Sequence, residues 1–317
     1  MATSITPHAL WVVEKQRAEI SPAALGIGVL VKTLFGGISR GTEKIVFNGE
    51  VPESEFQRMR CFGQEGEFSF PLKYGYCTVG EVLEGELSGK RIFALHPHQD
   101  YFRIAEDRVH VLPEDLPANR AILAANMETA LNITWDAEVL QGEKVAVIGA
   151  GVVGLLSAYL SQKQGADVAL IDINPEKAVV ASKLGIEFSS SEQITAEFDT
   201  VIHTSATSEG LSMALELARD EGKIIEASWF GNKTVSLPLG GPFHSRRLKI
   251  ISSQVGKISA SKKDWTFNMR MERAIELLND SKLDYLISGE TGFEAIADEY
   301  AGIINNPNTL CHRIRYE

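Results

Sequence analysis

The feature that most constrains this chain is the glycine-rich stretch VAVIGAGVVGLL, at residues 145–156. Gly149, Gly151 and Gly154 form the pattern G-x-G-x-x-G directly after an apolar strand and before a helical stretch that opens with Val152 and Val153. The first glycine permits a tight turn, the second lets a pyrophosphate approach the backbone, and the third lets helix and strand pack closely. Unpaired N–H groups at the helix start attract phosphate. The pattern therefore predicts a dinucleotide site at these residues.

A carboxylate follows at the end of the next apolar run. VALID places Asp172 18 residues beyond Gly154. Such a carboxylate accepts hydrogen bonds from both ribose hydroxyls and repels a 2′-phosphate, and the next two residues carry no cation. Asp172 therefore favours NAD as the cofactor over NADP. The alternative is a glycine-rich turn in a flavin-binding or purely structural α/β domain.

The pattern of predicted secondary structure changes after Gly142. The first 110 or so residues read as short strands broken by Gly and Pro, which is typical of a mostly-β unit. Beyond Gly142, short Val- and Ile-rich runs alternate with helical stretches, which predicts βαβ units and a parallel sheet. A helix is predicted from Lys262 to Leu278, and a returning strand at the end of the chain. We therefore expect a mostly-β domain at 1–130 and 256–317, and a dinucleotide-binding domain at 131–255.

Net charge, cysteine content and apolar runs indicate which classes of partner and which compartment to expect. The formal net charge is −11, whereas nucleic-acid binding needs clustered Lys and Arg. Three cysteines without a C-x-x-C pair fit a reducing compartment. No apolar run approaches the roughly 18 residues of a membrane helix, and no secretory leader is recognisable. We expect a cytoplasmic protein with a small-molecule substrate and neither a nucleic-acid nor a membrane partner.

Four segments carry a resemblance to a known family. They are GISRGTE at 37–43, YGYCTVGEV at 74–82, LSGKRIFAL at 87–95 and METALNITWDA at 127–137. With the order of the domains, they resemble the medium-chain dehydrogenase/reductase superfamily of alcohol dehydrogenase-like enzymes, over essentially the whole chain. The resemblance implies an α/β fold, with a GroES-like mostly-β domain and a Rossmann domain built on a doubly wound parallel sheet. It also implies a homodimer paired through the sheet edge of the cofactor domain.

The zinc ligands that the resemblance implies are absent. Family members that hold zinc use a Cys in the first segment, a His in the second, and a Cys, Asp or Glu four residues before the threonine of the last. These positions read Ser39, Tyr76 and Ala125, and Cys77 replaces a neighbouring glutamate. Because zinc needs thiolate, imidazole or carboxylate ligands, we predict a site without zinc. The lost ligands and GISRGTE resemble a zinc-less branch, that of the bacteriochlorophyllide hydroxyethyl dehydrogenases.

A rebuilt metal site is the alternative. His96 and His98 are two residues apart on a predicted strand, hence on one face, and Cys77 is available as a third ligand. Glu128 is a further candidate, although a carboxylate there also suits a helix cap or a solvent-facing position. Histidines near a cleft are more often hydrogen-bonded or catalytic than metal-bound.

Without zinc, side chains must assist hydride transfer at the substrate oxygen. The resemblance implies that Thr42 passes a proton and that Tyr76, in the place of a ligand, contacts the oxygen. Tyr76 is a donor, or a base if a cation such as Lys73 or His98 lowers its pKa, or an aromatic that fills the vacated space. We include His98 among the candidate catalytic residues. Cys77 is a nucleophile or a buried small side chain.

Loops after the cofactor strands are expected to line the nicotinamide. We assign Thr204, Ser228 and Gln254 to cofactor binding, with Trp229 and Gln254 facing the substrate. One basic cluster, FHSRRLK, either attracts an anionic substrate group or forms a solvated turn. Its cations are His244, Arg246, Arg247 and Lys249.

The sequence thus predicts a metal-independent, NAD(P)-dependent oxidoreductase of the alcohol dehydrogenase type, which interconverts an alcohol and a carbonyl. One alternative is a quinone or enoyl reductase, although such enzymes usually favour NADPH, and Asp172 speaks against it. Another is a dinucleotide-sensing protein without catalysis.

Overall fold

The computed structural model describes residues 5–191, 194 and 196–317. The strands of these residues are β1 (His8–Glu14), β2 (Arg17–Pro22), β3 (Val29–Ser39), β4 (Glu65–Gly66), β5 (Leu72–Lys73), β6 (Thr78–Val82), β7 (Arg91–Ala94), β8 (Tyr101–Ile104), β9 (His110–Val111), β10 (Lys144–Ile148), β11 (Asp167–Asp172), β12 (Glu187–Ser190), β13 (Phe198–His203), β14 (Ala218–Glu226), β15 (Lys249–Ser252), β16 (Ile287–Gly292) and β17 (Cys311–Arg315). The helices are α1 (Arg40–Phe47), α2 (Ala118–Ala121), α3 (Ala124–Ala137), α4 (Val152–Lys163), α5 (Lys177–Leu184), α6 (Ser208–Leu217), α7 (Pro242–Ser245), α8 (Phe267–Leu277) and α9 (Ile296–Asn305).

The chain forms two compact units. Unit 1 comprises Met1–Ala125 and Ile275–Glu317, and unit 2 comprises Asn126–Ala274. The sequence boundaries at 130/131 and 255/256 differ from these, because both junctions of the structure fall inside helices, α3 and α8. A continuous helix carries no turn signal at the point where it passes from one unit to the next.

Unit 2 contains one six-stranded sheet in which every pair of neighbours is parallel. The strand order β12-β11-β10-β13-β14-β15 is the doubly wound Rossmann order, which confirms the predicted fold class. Because the strands are parallel, their carboxyl ends share one edge of the sheet. The last residues of β10, β11, β13, β14 and β15 are Ile148, Asp172, His203, Glu226 and Ser252.

Unit 1 is the predicted mostly-β unit. One sheet has the order β16-β17-β3-β6-β7-β9, with β8 also paired to β3, and a second has the order β2-β1-β5-β4. The long strand β3 runs straight into α1, whose buried face is formed by Glu43, Val46 and Phe47. The Phe47 ring meets the Tyr300 ring of α9 edge-on at 5.0 Å, so α1 is fixed against α9.

Two predicted elements have different bounds in the structure: a helix begins later and a strand ends earlier than expected. The helix predicted from Lys262 begins at Phe267, because Ser259 accepts a hydrogen bond from the Ser261 N–H and holds a 3-10 turn before it. The strand predicted through His98 ends at Ala94. In the part of the chain that the structure describes, no helix has the length and apolar character needed to cross a membrane.

Candidate functional site

The predicted phosphate-binding turn lies between β10 and α4, at the carboxyl edge of the unit 2 sheet. Gly149 has a φ of +105°, and a Cβ there would lie 2.8 Å from the backbone nitrogen of Ser205. A Cβ on Gly154 would lie 1.9 Å from the carbonyl oxygen of Gly149. The fold itself therefore requires two of the three glycines, since neither place has room for a side chain.

Gly151 differs from Gly149 and Gly154, because neither its backbone conformation nor a contact with a described residue requires a glycine at this position. Its φ of −74° suits any residue, and a Cβ would meet no described atom within 4 Å. Gly151 caps α4, whose first N–H groups, including those of Val152 and Val153, have no acceptor within the helix. Open space in front of such donors fits a phosphate group, so this turn suits the pyrophosphate of a dinucleotide.

Asp172, at the end of β11, reaches back to the same turn. Its Oδ2 accepts a hydrogen bond from the Ala150 N–H at 2.6 Å, and its Oδ1 accepts one from the Asn174 N–H at 2.8 Å. The next residue, Ile173, is 86% exposed. The edge of the sheet thus presents a fixed carboxylate beside an open apolar side chain.

A polar cluster joins the loops that follow β13 and β14. His203 is fully buried; its Nδ1 lies 2.7 Å from Glu226 Oε2, and its Nε2 lies 2.7 Å from Ser205 Oγ. Ser228 Oγ accepts a hydrogen bond from the Ala206 N–H at 3.1 Å. His203 and Glu226 are not among the site residues predicted from the sequence. The sequence feature that could have identified them is a titratable residue at the end of each of the two neighbouring apolar strands, β13 and β14.

Thr204 and Ser228 hold these loops in place. Thr204 Oγ1 lies within hydrogen-bond distance of the carbonyl oxygens of Ile148 and Gly149, at 3.1 and 2.9 Å. Gln254, in the loop after β15, has its Oε1 bound by the Gly256 N–H at 2.6 Å. A direct contact of these three side chains with a cofactor stays a prediction, as does a substrate contact of the half-buried Trp229. A cleft of about 230 Å³ lies between the loops; its lining residues are Ala206, Thr207, Ser208, Glu209, Phe230, Lys233, Thr234 and Val235.

In unit 1, strand pairing brings Tyr76 and Thr42 together. The Gly37 N–H donates to the Cys77 carbonyl at 2.8 Å, which places Tyr76 beside the end of β3 and the start of α1. The Tyr76 hydroxyl is hydrogen-bonded with the side chains of Ser39 and Thr42. Burial raises the pKa of Tyr76 well above its usual range, and these two hydrogen bonds oppose the rise only in part. The phenol is therefore neutral and suited to donate a hydrogen bond, not to act as a base.

Glu43 is a buried carboxylate that connects several elements of unit 1. Its carboxylate is 1% exposed and has three partners. Oε1 accepts from the Ser39 N–H at 2.7 Å, whereas Oε2 accepts from the Tyr300 hydroxyl at 2.7 Å and lies 3.0 Å from His98 Nε2. His98 Nδ1 is buried and has no hydrogen-bond partner among the described residues. His98 thus supports Glu43 in the structure, and its contact with a substrate stays a prediction.

Glu43 is not among the site residues predicted from the sequence. Its signal was a carboxylate on the otherwise apolar face of α1 formed with Val46 and Phe47. Its partners His98 and Tyr300 lie 55 and 257 residues away along the chain, so local pattern could not pair them.

The two histidines proposed for a rebuilt metal site have separate environments. His96 and His98 follow the end of β7 and lie in a loop, so the prediction that they share one strand face was wrong. The His96 ring stacks on Phe102 with centroids 3.8 Å apart, while His98 bonds Glu43. Among the described residues, no group of three or more His, Cys, Asp or Glu is placed to hold a metal ion.

The side chains at the implied zinc positions do not fit a zinc centre. Ala125 has no ligating atom, Ser39 offers a neutral hydroxyl, and Tyr76 is a neutral phenol. Burial raises the pKa of Cys77 well above its usual range, which favours the thiol over the thiolate that zinc binds.

Two other side chains differ from their predicted roles. Lys73 Nζ donates to Glu65 at 2.5 Å and to Gln99 at 2.6 Å, so its charge is directed at those groups. Glu128 neither caps a helix nor faces solvent. It is buried, and its Oε1 accepts from Arg270 Nε at 3.0 Å.

The basic cluster is largely paired within unit 2. Arg246 Nη1 donates to the Ala218 carbonyl at 2.8 Å and lies 3.3 Å from a Glu197 oxygen. Arg247 Nε lies 2.9 Å from a Glu221 oxygen. These contacts favour the alternative of a solvated turn over an anion-binding patch.

Comparison with known proteins finds partial sequence similarity to dehydrogenases. Residues 125–213 match the model of the alanine dehydrogenase/PNT C-terminal domain. L-threonine 3-dehydrogenase of Rhizobium rhizogenes is 30% identical over 122 residues, which cover 38% of this chain and 34% of that protein. Galactitol 1-phosphate 5-dehydrogenase of Escherichia coli is 25% identical over 222 residues, which cover 65% of this chain and 63% of that protein. The chain thus matches less than two thirds of the length of either relative.

Solved structures extend the likeness to the whole chain. L-idonate 5-dehydrogenase of Escherichia coli superposes with a TM-score of 0.80 at 15% sequence identity, covering 98% of each chain. Two further structures of this fold, at 18% and 16% identity, contain NADP and NADH respectively. With the strand order and the fingerprint turn, these likenesses support the family resemblance: the chain has the fold of these dehydrogenases over its whole length and is similar in sequence to dehydrogenases over part of it.

Proposed function

We propose that this chain is an NAD-linked oxidoreductase that interconverts an alcohol and a carbonyl group on a small molecule without a metal ion. The observation that carries dinucleotide binding is Gly151, which leaves open space in front of the first turn of α4. Oxidation of alcohols is the reaction that the names of the similar threonine and galactitol phosphate dehydrogenases describe.

The preference for NAD rests on Asp172. Its carboxylate is held at the end of β11 by two backbone N–H groups, and the following residues, Ile173 and Asn174, carry no cation. A 2′-phosphate placed there would meet a fixed negative charge, whereas ribose hydroxyls would meet an acceptor. We expect Asp172→Ser to lower the ratio of the NADPH to the NADH dissociation constant by about tenfold or more.

Tyr76 and Thr42 are the proposed catalytic residues. Bound NAD supplies the site that accepts or returns the hydride. The neutral Tyr76 phenol donates a hydrogen bond to the substrate oxygen and stabilises the charge that develops there. The Thr42 hydroxyl, hydrogen-bonded with Tyr76, would relay the proton that leaves an alcohol toward the cofactor ribose and solvent water, and would return one along the same path when a carbonyl is reduced. No step in this scheme needs a metal ligand, which is consistent with the side chains at the implied zinc positions.

Cofactor binding is tested by titrating NADH into the protein and following its fluorescence. Gly151→Ala places a methyl group in the open space before α4, so we expect the dissociation constant to rise about tenfold while the melting temperature stays unchanged. Gly302→Ala is the matched control, because its Cβ also meets no described atom within 4 Å but lies in α9 of unit 1. Equal NADH binding by wild type and Gly151→Ala would contradict the assignment of this turn.

Catalysis is tested by screening small ketones and aldehydes for oxidation of NADH. For a substrate found in this way, we expect Tyr76→Phe and Thr42→Ala each to lower kcat about 100-fold with a smaller change in KM. Unchanged kcat in both variants would refute the proposed roles. Tight NADH binding without turnover of any carbonyl would favour the non-catalytic alternative.

We further propose a cytoplasmic homodimer paired through β15. This strand is the edge of the six-stranded sheet, all four of its residues are exposed, and Ile250 and Ile251 are 37% and 36% exposed. An open apolar edge strand invites pairing with a second copy. Sedimentation velocity should show a dimer for wild type and a monomer for Ile251→Lys; a monomeric wild type would refute this pairing.

A further inference from the structure

One buried cation in unit 2 has no part in the proposed chemistry. Arg270, on α8, is 1% exposed, and all of its hydrogen bonds go to groups inside the unit. Nε donates to Glu128 Oε1 at 3.0 Å, and Nη1 donates to Asn132 Oδ1 at 2.6 Å. The other two acceptors are backbone carbonyls in the loop after β15: that of Lys257, 3.1 Å from Nη1, and that of Val255, 2.5 Å from Nη2. The guanidinium therefore joins a helix to a loop.

Helix α3 forms the other side of this anchor. Glu128, Asn132 and Asp136 are spaced four residues apart, so they lie on one face of α3. Asp136 Oδ2 accepts from Asn132 Nδ2 at 2.9 Å and from Ser253 Oγ at 2.6 Å. The loop is thus held to α3 directly at Ser253 and through Arg270 two and four residues later.

The anchored loop lies where a ligand is expected. Residues 253–257 follow the carboxyl end of β15, and in sheets of this order ligands bind outside the carboxyl ends of the strands. Between the anchored positions, Gln254 is exposed. Irregular backbone lacks the partners that a helix or strand supplies, so the Val255 and Lys257 carbonyls take their donor from outside the loop. A planar guanidinium suits this task, because its fixed fork reaches a carboxylate and two carbonyls at once.

We propose that Arg270 is a positioning residue for the nicotinamide end of the cofactor: it fixes the 253–257 loop so that the loop backbone can bind the nicotinamide amide. This inference rests on the proposed NAD-linked function. The adenosine and pyrophosphate half of the cofactor is assigned to other groups, Asp172 and the turn at Gly151. Loss of the Arg270 anchor should therefore weaken binding of the two halves unequally.

A comparison of NADH with ADP-ribose, which lacks the nicotinamide, tests this inequality. Arg270→Lys keeps a positive charge but cannot span the carboxylate and both carbonyls. By calorimetric titration we expect it to raise the NADH dissociation constant about tenfold and that of ADP-ribose less than about twofold. Arg273→Lys, at an exposed position on the same helix, is the matched control and should change neither.

A second variant covers the case in which Arg270→Lys does not fold. Asn132→Ala removes one acceptor of Nη1 and leaves the guanidinium in place, so we expect the same selective effect with a smaller factor. Equal weakening of both ligands, or no weakening of NADH, in the folded variants would show that Arg270 serves only the stability of unit 2 and would overturn the inference. Failure of the wild type to bind either ligand would instead refute the proposed NAD-linked function, and the inference with it.

Discussion

His96 should make the stability of this protein sensitive to mild acid. The side chain is 4% exposed, its ring stacks on Phe102 at 3.8 Å, and its Nδ1 lies 3.0 Å from the Pro97 carbonyl oxygen. Burial lowers the pKa of His96 from an ordinary value of 6.5 to about 3, and the nearby Lys73 ammonium acts in the same direction. The folded chain therefore keeps this imidazole neutral at pH values where an unfolded chain binds a proton.

The sign and size of the effect follow from proton linkage. As the pH falls through 6.5, the unfolded chain takes up a proton at His96, but the folded chain does not until the pH nears 3. The free energy of unfolding therefore falls across this window, by up to about 1.4 kcal/mol per pH unit. At pH 5 the loss attributable to His96 is about 2 kcal/mol.

Urea unfolding at about pH 7, 6 and 5 measures this loss, with His96→Asn as the comparison. Asparagine has an N–H close to the position of Nδ1 but does not titrate, and it loses the stacking on Phe102 at every pH. We expect the variant to be less stable at pH 7 and yet to lose about 2 kcal/mol less than wild type between pH 7 and pH 5. His244→Asn, at an exposed position, is the control for removal of a histidine. Equal losses in wild type and His96→Asn would refute the reasoning.

Two further substitutions test the polar centres of the two units. Gly210→Ala would bring a Cβ to 2.3 Å from Ser205 Oγ. We expect the substitution to lower the free energy of unfolding by about 2 kcal/mol in urea titrations, although alanine has the better helix propensity. An unchanged unfolding midpoint would contradict the close packing of α6. Tyr300→Phe removes a donor to the buried Glu43 carboxylate, and we expect it to lower the free energy of unfolding by about 1 to 3 kcal/mol in the same assay; an unchanged midpoint would contradict the importance of this contact.

The unit 2 fold is predictable because each of its signals is local. The turn at 149–154, the apolar runs before and after it, and the carboxylate at Asp172 all fall within about 30 residues, the length of one βαβ unit. Element ends were less predictable. The helix at Phe267 starts five residues after the expected Lys262, since a serine-capped 3-10 turn uses polar residues that also suit a helix start.

The site in unit 1 was only partly predictable. Tyr76 and Thr42 are recognisable from the family segments, and the structure joins them by a hydrogen bond at the Tyr76 hydroxyl. The roles of Glu128 and His96 were not recognisable, because each depends on a partner brought close by tertiary packing. Arg270 lies 142 residues from Glu128 along the chain, and the strand expected to carry His96 stops before reaching it.

The Glu43 carboxylate explains why polar groups surround the position where the family resemblance implies a metal. A carboxylate buried this deeply costs several kcal/mol unless donors surround it, and Ser39, His98 and Tyr300 supply them. Loss of one donor leaves a charge underpaired, so the effects of substitutions at Glu43 and Tyr300 should not add. Ser39 bonds Glu43 through its N–H and Tyr76 through its hydroxyl. The position of the Tyr76 hydroxyl, and with it the proposed contact to the substrate oxygen, therefore depends on a carboxylate that the substrate need not touch.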